Sequence, residues 1–371
     1  MRVVAALLGL VLIGLMLAEF FVAFLLPRRV KREPRLARWI LVVGWRGWRF
    51  LSRRLPARAA DTMLGFYGPL LLVFALGLFA LGLIFGFASL QWAAGSKLAP
   101  AREVGFGQDL YFSAGGFLSG STELTPTTTV ARVLFLSEAA CAIAVLYIAI
   151  GYLPALFQAF SRREVTVSQL DPRAGSPPTA GALLARSGER GGWEDLDLYL
   201  AEWETWAAEL METHLSYPAL AYFRSQHVDQ NWLAALTAVL DTCSFAMAAA
   251  PSRTESEAAQ VTYAIGRHAL ADLGHVLRAR PVRPQPPRLD DPEFDALWEL
   301  ASRSGLELRA RSEVRPRLDE LRTGYEPLAV ALSRALELAL PAWVATPETQ
   351  AIWSSSYGRP GRRQPPGETG A

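Results

Sequence analysis

Few side chains in this sequence have both the type and the spacing for chemistry. His268, Asp272 and His275 stand at i, i+4 and i+7, so on a helix they share a face, and that spacing can hold a divalent metal. They lie roughly opposite Leu270, Leu273 and Leu277, which makes a solvated polar face the simpler reading, and no metal site is assigned. His214 and His227 have no metal spacing. Cys141 and Cys243 fall in regions of different character and read as small apolar fillers. A glycine-rich phosphate loop, a CxxC pair and a nucleophile elbow are all missing, so neither an enzyme nor a cofactor is implied. The carboxyls of Glu19 and Glu138 are of another kind. Both stand inside long apolar runs, where a carboxyl costs a few kcal/mol unless it is paired, protonated or facing water.

The elements around these residues are unusual for a soluble chain. Half of the 371 residues are hydrophobic and 19% are charged, against roughly a quarter charged in typical soluble domains. The imbalance is confined to the sequence before about Ser161. Val3–Leu26 is a nearly unbroken apolar run, longer than the ~30 Å hydrocarbon layer requires. A signal peptide is its rival reading, but the positive block Arg28-Arg29-Val30-Lys31-Arg32 follows the run instead of preceding it. Tyr67–Trp92 forms a second span, with Gly82 and Gly86 spaced for close approach of another helix. Thr129–Phe157 is a third, too long to cross without tilting, with Gly151 and Pro154 as a hinge in its last third. Leu110–Pro126, between the second and third, is glycine-rich and too short to cross. It fits a segment that enters and leaves on one side, which is tolerated only where protein or water covers the backbone.

Ten arginines and Lys31 lie between Arg28 and Arg58, against the single acid Glu33. The positive-inside rule therefore places this loop in the cytoplasm, the N-terminus outside and the C-terminus inside a cell (inner) membrane crossed several times. The aromatics and arginines interleaved from Trp39 to Phe50 suit a helix lying among headgroups. With a net charge of only +2, no nucleic-acid partner is expected; the bilayer is the expected one.

Residues 109–128 read Asp-Leu-Tyr-Phe-Ser-Ala-Gly-Gly-Phe-Leu-Ser-Gly-Ser-Thr-Glu-Leu-Thr-Pro-Thr-Thr. This resembles the pore segment of the bacterial two-transmembrane, pore-loop potassium channels. Tyr111-Phe112-Ser113 matches the start of the pore helix, and Glu123-Leu124-Thr125-Pro126-Thr127-Thr128 matches the stretch after the filter. Arg132, Glu138 and Gly151 also stand where such modules often place an Arg, a Glu and a hinge glycine. The resemblance covers about residues 67–160 and implies four chains around a central axis, conducting monovalent cations such as K⁺. It assigns the filter to Leu118, Ser119, Gly120, Ser121 and Thr122, with Glu123 at the mouth. Only Gly120 keeps the family's residue. Leu118 replaces the hydroxyl at the inner end, Ser121 the aromatic, and Thr122 the second glycine. A potassium filter aims rings of backbone carbonyls at the ion, and β-branched Thr122 disfavours the left-handed backbone this requires. The implied channel is therefore weakly selective. Glu138 is either a brace accepting hydrogen bonds from the re-entrant backbone or a neutral inter-helix residue.

The expected organisation is a first helix and basic loop (1–66), a pore module (67–160), a linker (161–191), a helical cytoplasmic domain (192–345) and a disordered tail (346–371). The fold class is all-α: three transmembrane helices, a re-entrant segment and a cytoplasmic helical domain. In that domain Leu196, Tyr199, Trp203, Trp206 and Leu210 step at helical spacing, as do Leu233, Leu236, Leu240, Cys243 and Met247. Thr254 with Glu257 forms a capping box for a helix reaching about Arg280, and further helices are predicted over 292–304 and 314–340. The functional expectation is a cation channel; the alternatives are a non-conducting membrane receptor or scaffold and, more weakly, a metal or ligand sensor at the His268 face.

Overall fold

The computed structural model describes residues 1–26, 36–100, 105–225, 230–252 and 256–345, with backbone only for 36–40 and 57. The basic block after Leu26, Thr254, His227 and the tail lie outside the described residues. Within them the chain is all-helical: twelve α-helices, a 3-10 turn at Pro218–Tyr222 and a pair of two-residue strands. It divides into two compact units, Met1–Gln158 and Ala159–Ala371.

In the first unit, α1 (Arg2–Phe24) packs along α3 (Ala57–Ala94). Glycines make the approach close. A Cβ on Gly82 would come within 2.5 Å of Met16 Sδ, and one on Gly86 within 2.6 Å of Ile13 Cγ1. Gly9 in turn faces the Gly86 carbonyl. The helix that the Gly82/Gly86 spacing anticipates is thus α1, and Met16, Phe20, Phe79 and Leu83 form the core beside it. Helix α2 (Leu36–Ser52) is pinned to α3: Trp48 Nε1–H donates to Met63 O at 2.8 Å, and Tyr67 O–H to Leu41 O at 2.7 Å. Helix α3 ends where Gly95 turns left-handed, its N–H returning to Gln91 O and Trp92 O.

Helix α5 (Thr129–Ala174) extends well beyond the predicted third span. Residues 161–174, expected to open a linker, continue it, because nothing stops the helix before Gly175 at φ +85° and the Pro177-Pro178 pair. Within residues 161–191 a short helix also forms, α6 (Ala180–Arg190), capped by Thr179 Oγ1 accepting from Ala182 N at 3.2 Å.

The second unit gathers α6, α7 (Gly192–Ser216), α9 (Glu257–Leu277), α11 (Arg311–Thr323) and α12 (Glu326–Leu336) around α8 (Trp232–Ala249), with α10 (Asp291–Arg303) on α6. Leu196, Tyr199, Trp203, Trp206 and Leu210 form the buried stripe of α7. The one-sided stripe expected for α8 is corrected: every residue but Met247 is buried, since protein surrounds the helix. The single helix expected over 314–340 is two, α11 and α12, broken at Gly324-Tyr325. A Cβ at Gly324 would meet Tyr263 Oη at 2.5 Å. Inside this core Asp241 pairs with Arg288 at 2.7 Å, Arg288 with Glu326 at 3.2 Å, and Glu326 with Arg322 at 3.0 Å; Tyr325 O–H also donates to Asp241.

Among the described residues four helices are long and apolar enough to cross a membrane: α1, α3, α5 and α8. Burial separates them. Protein covers 94% of α8 but only 11% of the most apolar stretch of α5, so α8 has the surroundings of a core helix, whereas α1, α3 and α5 leave apolar surface for lipid or further protein.

Candidate functional site

Between α3 and α5 the chain makes a short helix, α4 (Phe106–Ser119), followed by a five-residue loop and the strand Thr125–Pro126. That strand pairs antiparallel with Leu98–Ala99, just after α3, and Thr127 N donates to Lys97 O at 3.0 Å. Gln91, fully buried near the end of α3, donates to Ala131 O at 3.2 Å. Both ends of the α4 segment are therefore tied to the same end of α3.

Two adjacent glycines let α4 dock. A Cβ on Gly116 would lie 2.7 Å from Phe135 Cε2 of α5, whose ring packs 5.2 Å from that of Phe112. A Cβ on Gly115 would lie 2.4 Å from Thr122 Cγ2, so the loop folds back onto α4 across Gly115. Ser113 Oγ, from the buried side of α4, contacts Ile84 O of α3 at 2.9 Å and Glu138 Oε1 of α5. Glu138 is fully buried, and its Oε2 has no hydrogen-bond partner among the described residues. Of the two readings open for Glu138, the brace meets α4 through a side-chain hydroxyl, Ser113 Oγ, and not through the backbone.

Leu118, Ser119, Gly120, Ser121 and Glu123 are exposed and Thr122 is half-buried. Gly120 alone among them has a positive φ, +70°, and it caps α4 with its N–H on Gly116 O. Hydroxyls occupy the nearby carbonyls. Ser119 Oγ lies 2.7 Å from both Gly115 O and Ser121 O, and Thr122 Oγ1 donates to Leu124 O at 2.6 Å. The loop is thus a self-stitched turn, with Leu118 74% exposed at its edge. The partial negative charge of α4's C-terminus falls beside it. Farther along α5, helix is continuous through Gly151 and Pro154.

The histidine face carries less. His268 is exposed and lies 3.7 Å from Asp272, and no group of three or more His, Cys, Asp or Glu among the described residues could hold a metal. His214, which has no metal spacing, is fully buried in the second unit. Its Nδ1–H donates to Leu210 O at 2.8 Å, so Nε2 accepts from Arg163 Nη1 at 3.2 Å. Arg163 also donates to Leu220 O at 3.0 Å and Phe223 O at 2.8 Å. Burial first, and the Arg163 charge second, push the imidazole down to about 3. Gly115-Gly116 carries a signal in the sequence itself: two glycines inside a helix forfeit about 1 kcal/mol each, which close packing must offset.

The architecture defines an all-helical protein with helices suited to several membrane passes. No family model, curated protein or solved structure matches the chain.

Proposed function

We propose that the chain is one subunit of a homotetrameric, potassium-channel-like channel that passes monovalent cations with weak selectivity. In this reading α1, α3 and α5 cross the membrane, α4 and its loop are re-entrant from outside, and the second unit is cytoplasmic. The observation that carries the reading is the helix–short helix–loop–helix arrangement. In it α4 is braced on α3 and α5 by Ser113 and Glu138, with its C-terminus opening onto an exposed loop of hydroxyls and Glu123. One such loop encloses nothing, and the exposed apolar residues of α5, including Val133, Leu136, Ile143, Tyr147 and Ile150, leave a face for lipid and neighbouring copies.

Weak selectivity follows from the loop's bonding. Discrimination between K⁺ and Na⁺ needs several successive carbonyl rings, whereas here Leu124 O accepts from the Thr122 hydroxyl and Ser121 O lies within reach of the Ser119 hydroxyl. A hydrated ion passing serine and threonine hydroxyls, drawn by a ring of Glu123 carboxylates, is attracted without being strongly sorted. The same bonding favours a second reading, a receptor or scaffold that keeps the fold without conducting.

Bilayer recordings of the purified protein under a K⁺/Na⁺ gradient test the proposal. The expected outcome is a cationic current with a permeability ratio below about tenfold, which is under about 1.4 kcal/mol of discrimination. Glu123→Gln should lower conductance most at low salt, where screening is weakest. Reversal at the potassium equilibrium potential would refute weak selectivity, and consistent silence would favour the receptor.

A further inference from the structure

Helix α2 has three faces. Trp45, Trp48 and Ser52 step by three and four along one, and this is the face docked on α3: Trp45 and Ser52 are buried, and the Trp45 ring lies 4.9 Å from Tyr67. Val43 and Phe50 lie along a second. Val43, Phe50 and neighbouring Leu51 are exposed, and the Arg54 guanidinium lies over the Phe50 ring at 4.4 Å. Arg46 and Arg49 form the third, between the other two, and Arg53, in the turn just past the helix with its N–H on Arg49 O at 3.2 Å, extends it. From Leu36 to Phe66 six arginines stand against one acid, Asp61.

A helix docked on a membrane-spanning neighbour, with a second face apolar and a third cationic, suits a membrane boundary. Its apolar stripe requires acyl chain, and its arginine stripe then falls at the depth of the phosphates. Packing on α3 through Trp45 and Trp48 holds the helix at that boundary. We propose that the Arg46/Arg49/Arg53 face of α2 is a binding surface for anionic phospholipid headgroups of the leaflet it lies in. Guanidinium suits the task because its planar fork engages phosphate oxygens in pairs. The proposal rests on the membrane placement given under the proposed function and not on conduction, so a silent protein that binds anionic lipid leaves it standing.

Native mass spectrometry of the full chain in detergent tests it, with phosphatidylglycerol and phosphatidylcholine of identical acyl chains titrated separately. The wild type should retain phosphatidylglycerol preferentially, and less so as salt rises. Each of Arg46→Gln, Arg49→Gln and Arg53→Gln should cut the preference about fivefold, and the triple substitution about a hundredfold. The corresponding triple lysine variant should keep most of it. A charge-matched control in the second unit, Arg303→Gln with Arg311→Gln and Arg317→Gln, should keep all of it. Circular dichroism establishes that each variant is folded, and the single substitutions decide the matter should the triple variant not fold. Equal retention of the two lipids by the wild type, or a control that loses as much as the α2 variants, would overturn the proposal.

Discussion

The tautomer of His214 is dictated by its neighbours. Leu210 O can only accept and the Arg163 guanidinium can only donate, so the ring must be neutral with its proton on Nδ1. A second positive charge beside Arg163, with Glu164 already paired to it at 2.8 Å, has nowhere to go. The folded state therefore resists protonation down to about 3, while the unfolded chain takes up a proton near 6.5. Because the unfolded state binds more protons in this window, the stabilisation from neutral His214 is complete above pH 6.5. It is lost progressively as pH falls toward 3. Between pH 7.5 and 5.5 the second unit should lose on the order of 1 kcal/mol from this residue. Thermal unfolding at the two pH values measures the loss. His214→Gln should be less stable at pH 7.5 but show a flatter pH dependence. An unchanged slope in the variant would assign the sensitivity to other groups.

At the scale of elements, the docking of α4 makes a prediction whose sign separates packing from propensity. Alanine is the better helix former, by about 1 kcal/mol over glycine, so a helix indifferent to its neighbours would gain from Gly115→Ala or Gly116→Ala. The contacts dictate the opposite. A methyl at Gly115 collides with Thr122 Cγ2 and one at Gly116 with the Phe135 ring. Each substitution should destabilise the protein by about 1–3 kcal/mol, as overpacking does, read as a lower melting temperature in detergent. Thr122→Ser removes the offending methyl and should rescue Gly115→Ala alone; Phe135→Leu should rescue Gly116→Ala alone. Rescue of the wrong partner would mean that α4 sits differently against α5.

For the whole molecule, the proposed channel needs further copies, because the single chain leaves the loop after α4 exposed and one face of α5 uncovered. A fourfold homo-oligomer is expected by native mass spectrometry in mild detergent and in lipid nanodiscs. A monomer or dimer persisting in both would exclude a shared central pore, leaving the receptor reading and the lipid-binding face of α2 untouched.

Helix length and apolar content are properties of local sequence, so the existence of α1, α3 and α5, the interruption by α4, and the buried stripe of α7 could be read from residue order. Gly82 and Gly86 announced a close helix contact in the same way, because a missing Cβ at four-residue spacing has few other uses. Burial and partnership are not local. Whether a helix as apolar as α8 meets lipid or protein depends on what surrounds it, and only the packed second unit places Asp241 there beside Arg288 and Tyr325. Nor does spacing reveal that Arg163 and His214, 51 residues apart, share a hydrogen bond, or that Glu138 reaches Ser113 across two helices. The hydroxyl stitching of the loop from Ser119 to Leu124 belongs to the same class. Its residues are adjacent in sequence, but their conformation is decided by Thr122 seating on Gly115, a contact that exists only once α4 has formed.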